Sequence, residues 1–187
     1  MDKKSFRKQA LQRLGQFNES AACSPLRGNV NELWGKVEEM PQFASAHTLL
    51  LYWSMPSEVP TWDFADRWLA TKRIVLPLVV GDSLVLKEYS GRDSLVSGYK
   101  GILEPRADAV DVTPEEVDFA IIPGVAFDRA CHRMGRGKGF YDRLLPDLPA
   151  FKLGVAFDCQ LYDEIPVDPW DFPLDAVVTP SACYYKD

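Results

Sequence analysis

No stretch of the sequence approaches the roughly 20 consecutive apolar residues that a membrane-crossing helix needs, so no helical membrane anchor is expected. A secretory leader is not expected either. The opening residues, MDKKSFRKQALQRLGQF, alternate charged and apolar side chains where such a leader carries an unbroken apolar core, and a cytoplasmic location is the expectation. Positive charge is not in excess. Lys and Arg number 21 against 27 Asp and Glu, the formal charge is −6 and the pI is near 5.0, which argues against a broad grip on nucleic acid while leaving room for a local basic pocket. The four cysteines (Cys23, Cys131, Cys159, Cys183) are scattered without a CxxC pair, so neither a zinc site nor a disulfide framework is indicated. Internal repeats and low-complexity segments are also missing.

What is present is enough apolar material for a core. Hydrophobic residues make up 47% and aromatic residues 12% of 187 residues, a length that fits a single domain over residues 1–187. Phe6, Ala10, Leu11, Leu14 and Phe17 recur at helical spacing among Lys3, Lys4, Arg7, Lys8 and Arg13, and predict an amphipathic helix with a basic start. A second helix is predicted through Val30, Leu33, Trp34, Val37 and Met40, stopped by Pro41. Continuous apolar runs at 47–53, 73–80 and 117–122 predict buried strands, with further strands at 151–157 and 174–178. Between the first two runs, Thr61 is placed to cap a helix carrying Trp62, Phe64, Ala65, Trp68 and Leu69. The glycine-punctuated stretch from Gly81 to Arg106 reads as hairpins laid beside the sheet. Strands alternating with helices predict an α/β fold with a mostly parallel sheet flanked by helices, whose ligands bind beyond the C-terminal strand ends.

The segment richest in chemistry is PGVAFDRACHRMGRGKGFYDRLL, residues 123–145. Gly135, Gly137 and Gly139 alternate with Arg136 and Lys138 behind Arg133, so backbone N–H groups can approach an anion that the cations neutralise. The run follows a buried strand and opens a predicted helix, Phe140 to Leu145, yet it is neither the GxxxxGK[ST] nor the GxGxxG phosphate loop. A solvated surface turn is the competing reading. Asp142 weighs against it, because a carboxylate beside a polyphosphate site calls for Mg²⁺ or a basic partner such as Arg136 or Arg143. Cys131 and His132 adjoin the loop but are neighbours on a turn, an arrangement in which thiol and imidazole rarely face each other. His47, at the start of a buried strand, is read as structural.

Pro123 to Asp128 together with Arg133-Met-Gly-Arg-Gly-Lys-Gly-Phe-Tyr-Asp142 resembles the signature of the 5-formyltetrahydrofolate cyclo-ligase family. The likeness extends to Lys3-Lys-Ser-Phe-Arg7, Trp53-Ser-Met-Pro-Ser-Glu58, Gly101-Ile-Leu-Glu-Pro105 and the segment from Pro166 to Asp175, in family order. The resemblance implies a fold of the NagB/RpiA/CoA-transferase type and an enzyme that uses ATP and Mg²⁺ to cyclise 5-formyltetrahydrofolate to 5,10-methenyltetrahydrofolate, releasing ADP and phosphate. Phosphorylation of the formyl oxygen, followed by attack from N10, is the route it implies. It places Lys3, Lys4, Arg7 and the run Arg133, Met134, Gly135, Arg136, Gly137, Lys138, Gly139, Phe140 and Tyr141 on the nucleotide, with Arg136 and Lys138 as the catalytic cations. Trp53, Glu58 and Phe140 fall at the folate, and Asp142 and Asp175 at the metal. Phe140 stands where many relatives have Tyr, which removes a hydroxyl contact and leaves stacking. No nucleic-acid or membrane partner is implied; a monomer is compatible with the sequence, which does not fix the oligomeric state. Two readings of other classes stay open: a nucleotide- or folate-binding module without turnover, and a sugar-phosphate or CoA-handling enzyme.

Overall fold

The computed structural model describes residues 2–21, 30–98 and 101–186; Cys23 lies outside them. Five strands run parallel: β1 (Thr48–Leu50), β2 (Arg73–Val80), β7 (Phe119–Ile122), β10 (Phe151–Val155) and β12 (Ala176–Val178). Three antiparallel strands extend the edges: β3 (Ser83–Glu88), β6 (Asp111–Val112) and β13 (Cys183–Tyr185). The order across the sheet is β13-β12-β10-β7-β1-β2-β3-β6. From β1 the chain moves one way to β2, and from β7 it moves the other way through β10 to β12. The seam between β1 and β7 is therefore a topological switch point, where loops leaving the C-terminal strand ends diverge and leave a crevice.

The central strands are mostly apolar because both faces are covered, with Thr48, Arg73 and Lys152 at or near their N-terminal ends. Leu49, Ile74, Leu76, Phe119 and Ile121 point to the layer containing Leu14 of α1 (Lys3–Ala21), Leu33 and Trp34 of α2 (Val30–Glu38), Phe43 of α3 (Pro41–Ser45) and Phe64 of α4 (Trp62–Trp68). The intervening residues, Leu50, Val75, Ala120 and Ile122, face the opposite layer with Leu144 of α5 (Phe140–Leu144), Leu145 and Leu148. This period-two division of an unbroken hydrophobic run is the signature of a buried strand.

Several local expectations change. Pro41 does not terminate α2, which ends at Glu38; it opens α3 at a first-turn position where a missing N–H costs no helical bond. Thr61 precedes α4 without capping it, because its hydroxyl donates to the Tyr52 carbonyl and accepts the Ser54 N–H at 3.2 Å. The region from 81 to 106 is hairpin structure as expected, β2 with β3 and then β4 (Leu95–Ser97) with β5 (Leu103–Pro105). Part of the presumed loop after β7 is a small sheet of β8 (Ala126–Asp128), β9 (Arg133–Met134) and β11 (Leu161–Tyr162). Strands of two or three residues carry too few side chains for a period to be visible in sequence.

Candidate active site

A pocket of about 330 Å³ opens at the C-terminal ends of β1, β2 and β7. Its walls come from the segment after β1 (Tyr52, Trp53, Met55, Glu58), from β2 and β3 (Pro77, Val79, Leu84), and from the β5 hairpin (Ile102, Leu103, Glu104). The turn after β7 and the glycine loop close it with Pro123, Gly124, Arg133, Gly135, Arg136, Lys138 and Gly139, followed by Phe140, Tyr141 and Asp142 of α5. One side is thus apolar and aromatic, the other basic.

Arg133 is the keystone of the basic side. Its side chain is only 4% exposed, donating from Nη1 to the Pro123 carbonyl at 2.9 Å and from Nη2 to Asp142 Oδ1 at 2.6 Å, with the guanidinium 5.5 Å from the Tyr141 ring centre. Gly135 leaves space beside it: a Cβ there would lie 3.0 Å from Arg133 Nη1, a tight approach to a guanidinium held by two hydrogen bonds. Arg7 reaches over from α1, its Nε donating to the Gly135 carbonyl at 2.9 Å, and thereby ties the first helix to the loop. Gly137 and Gly139 have φ of 97° and 70°, left-handed conformations that favour glycine. Lys138 is exposed, and its ammonium has no hydrogen-bond or ion-pair partner among the described residues. Met134 is fully buried beneath the loop and serves packing.

Glu58 is 9% exposed and accepts the Met55 N–H at 2.9 Å. Burial raises its pKa; the Met55 N–H and Arg136 oppose that shift. Arg136 crosses the pocket mouth, placing Nε 3.3 Å from Glu58 Oε1 and donating from Nη2 to Ser57 Oγ at 2.9 Å. Trp53 lines the same pocket and leans on Tyr89, their ring centres 5.6 Å apart. Phe140 lies beneath the Arg143 guanidinium at 5.7 Å. Burial, and then the Glu58 charge, raises the Tyr141 phenol well above its ordinary range, so it stays protonated.

The other expected site residues divide between the pocket and the rest of the fold. Lys3 is ion-paired with Asp168 at 2.9 Å and with Asp171, and does not line the pocket; Lys4 is exposed on the same helix. Asp142 lines the pocket and, rather than meeting Arg136 or Arg143, pairs with Arg133. Asp175 is not brought to it: Asp175 Oδ2 accepts the Lys152 N–H at 2.7 Å near the start of β10. Lys152 is level with Ala120 of β7, three residues before pocket-lining Pro123, which at about 3.3 Å per residue is about 10 Å down the strand. The two carboxylates therefore do not share one ion in this arrangement. Among the described residues no group of three or more His, Cys, Asp or Glu side chains could hold a metal by itself.

Cys131 and His132 do not form a nucleophilic pair. Cys131 is buried with Sγ 3.5 Å from the Tyr184 carbonyl and its thiol pushed up to about 11 by burial, while His132 Nδ1 meets Asp128 Oδ2 at 3.0 Å. His47 serves through its backbone, donating to Asp118 and accepting from Arg73. Sequence reading missed Tyr52, Met55, Pro77, Val79, Leu84 and the hairpin residues as pocket walls. Of these, Met55 and the Gly101–Pro105 segment carried a signal, as part of the family resemblance.

The sequence model of the 5-formyltetrahydrofolate cyclo-ligase family matches residues 1–180. The 5-formyltetrahydrofolate cyclo-ligase of Escherichia coli K12 is 40% identical over 149 residues, covering 75% of this chain and 82% of the relative. A mycoplasma cyclo-ligase, from Mycoplasma pneumoniae, is 29% identical over 182 residues, covering 95% of this chain and 98% of its own. Among solved structures, the 5,10-methenyltetrahydrofolate synthetase of Aquifex aeolicus superposes with a TM-score of 0.86 at 33% identity, over 99% of this chain and 93% of that one. With a match along nearly its full length and a common fold, the chain belongs to the 5-formyltetrahydrofolate cyclo-ligase family and is an enzyme of that type.

Proposed function

We propose that residues 1–187 act as one domain that converts 5-formyltetrahydrofolate to 5,10-methenyltetrahydrofolate at the pocket between β1 and β7, using ATP and Mg²⁺. The observation that carries this is the junction of an apolar, aromatic wall with a glycine loop bearing Arg133, Arg136 and Lys138. A flat heterocycle suits the first and a polyphosphate the second.

The residues present fit a nucleotide. Arg133 Nε is buried without a partner among the described residues, Lys138 is unpaired among them, and Gly135, Gly137 and Gly139 keep side chains off the approach. They also fit Mg²⁺, which characteristically takes one or two carboxylates and completes its shell with phosphate oxygens and water. Asp142 spends Oδ1 on Arg133 and has Oδ2 without a partner among the described residues. Bound MgATP supplies the phosphoryl group that makes the formyl oxygen a leaving group.

The protein's own contribution is then positioning and charge. Arg136 and Lys138 stand as cations at the transferring group, Arg133 fixes the loop and Asp142, and Arg7 holds the loop against α1. Trp53 and Phe140 offer ring faces to the folate, and Glu58 offers a buried acceptor for its N–H donors. Lys3 and Lys4 support the nucleotide only if Lys3 leaves its aspartates.

Incubation with 5-formyltetrahydrofolate, MgATP and protein should produce the methenyl chromophore in the near ultraviolet, and omission of ATP or chelation of Mg²⁺ should abolish it. Product formation without nucleotide, or none under complete conditions, would overturn the proposal. Glu58→Gln should weaken folate binding far more than ATP binding; equal effects would make Glu58 a structural residue.

A further inference from the structure

Three carboxylates line the pocket, and they are in different states: Asp142 is paired with Arg133. Both oxygens of Glu58 already have protein donors, Oε2 the Met55 N–H at 2.9 Å and Oε1 the Arg136 Nε at 3.3 Å. Glu104, on β5, has no hydrogen-bond or ion-pair partner among the described residues, although it faces a pocket otherwise walled on that side by Ile102 and Leu103.

The position of Glu104 is built into the hairpin. Gly98, just beyond β4, does not have the positive φ that would require glycine. A Cβ at Gly98 would nevertheless lie 1.9 Å from Glu104 Cδ and 2.0 Å from Oε1. The room left by the missing side chain at Gly98 is where the Glu104 carboxylate lies, and an alanine there would push that flexible end aside.

We propose that Glu104 is a specificity-determining residue that accepts paired N–H donors from the bound heterocycle. Resting on the proposed reaction, this assigns it the 2-amino and N3–H edge of the pterin. That edge presents two nearly parallel donors at the spacing of two carboxylate oxygens. Glu58, tied to the glycine loop through Arg136, is left for the donors nearest the reacting end.

The test compares 5-formyltetrahydrofolate with its 2-desamino-2-methyl analogue, measuring binding by titration and turnover by methenyl absorbance. A site built around a hydrogen-bonding group rejects the analogue that lacks it. The wild type should bind the natural substrate at least about tenfold more tightly than the analogue. Glu104→Ala should bring the two affinities together, with ATP affinity and melting temperature unchanged. Glu104→Gln, which keeps one acceptor, should fall between. Gly98→Ala, by displacing the carboxylate, should reproduce the loss of discrimination, and the double variant should be no worse than Glu104→Ala alone. Undiminished discrimination in Glu104→Ala overturns the inference even if wild-type turnover is normal. A wild type that binds no folate and forms no product instead overturns the proposed function.

Discussion

Asp142→Asn separates two duties of one side chain. In the resting protein Asp142 Oδ1 neutralises Arg133, whose side chain is 4% exposed, whereas the Asp142 side chain is 35% exposed. Removing one partner of a fully buried pair costs about 3–5 kcal/mol. The exposure of Asp142 and the oxygen that asparagine retains reduce this to about 2 kcal/mol, the scale of a hydrogen bond to a charged group. For a domain of this size that corresponds to a melting temperature lower by roughly 4–8 °C. The second duty, holding Mg²⁺ through Oδ2, would be weakened by the neutral amide, raising the Mg²⁺ concentration for half-maximal turnover on the order of tenfold. Thermal melting by circular dichroism without nucleotide reads the first effect; a magnesium titration of turnover at a temperature where the variant is folded reads the second. A lower melting temperature with an unshifted Mg²⁺ curve would leave Asp142 as a tether for Arg133 and refute the ligand assignment. An unchanged melting temperature would refute the energetic reading of the ion pair.

Lys138→Ala and Arg136→Ala should each lower turnover by about 10²-fold, with little change in melting temperature for the exposed, unpaired Lys138 and a modest drop for Arg136, whose loss leaves buried Glu58 without its cation; near-normal activity in both, with normal ATP saturation, would remove their catalytic role. Asp175→Asn should leave the magnesium curve of turnover unshifted and lower stability by about 1 kcal/mol, because its contact is the Lys152 N–H rather than the pocket; a shifted curve would restore it to the metal site. Glu58 has a folded-state pKa raised by burial, so its ionisation disfavours the folded state. Stability measured against Glu58→Gln should fall as pH rises from the ordinary glutamate range through the raised value, and be recovered below that range. A melting-temperature difference between the two proteins that is flat across this window would contradict the burial argument.

The parallel core was legible in the sequence because strands covered on both faces are apolar at nearly every position, and the runs at 73–80 and 117–122 needed no partner to be identified. The glycine loop was legible too, since backbone approach to an anion and nearby positive charge are local properties. Which residues face one another was not. Arg136 and Glu58 are 78 residues apart and meet because β1 and β7 are neighbours at the switch point, which brings the loops after them together. The same sheet order keeps Asp175 near the start of β12, away from Asp142, while the packing of α1 gives Lys3 to Asp168 and Asp171 and Arg7 to the Gly135 carbonyl. Gly98 and Glu104 are six residues apart, yet only the pairing of β4 with β5 turns that spacing into contact. Side-chain periodicity and backbone freedom are written into short stretches of chain; strand order, register and the resulting charge pairs exist only once distant stretches have packed.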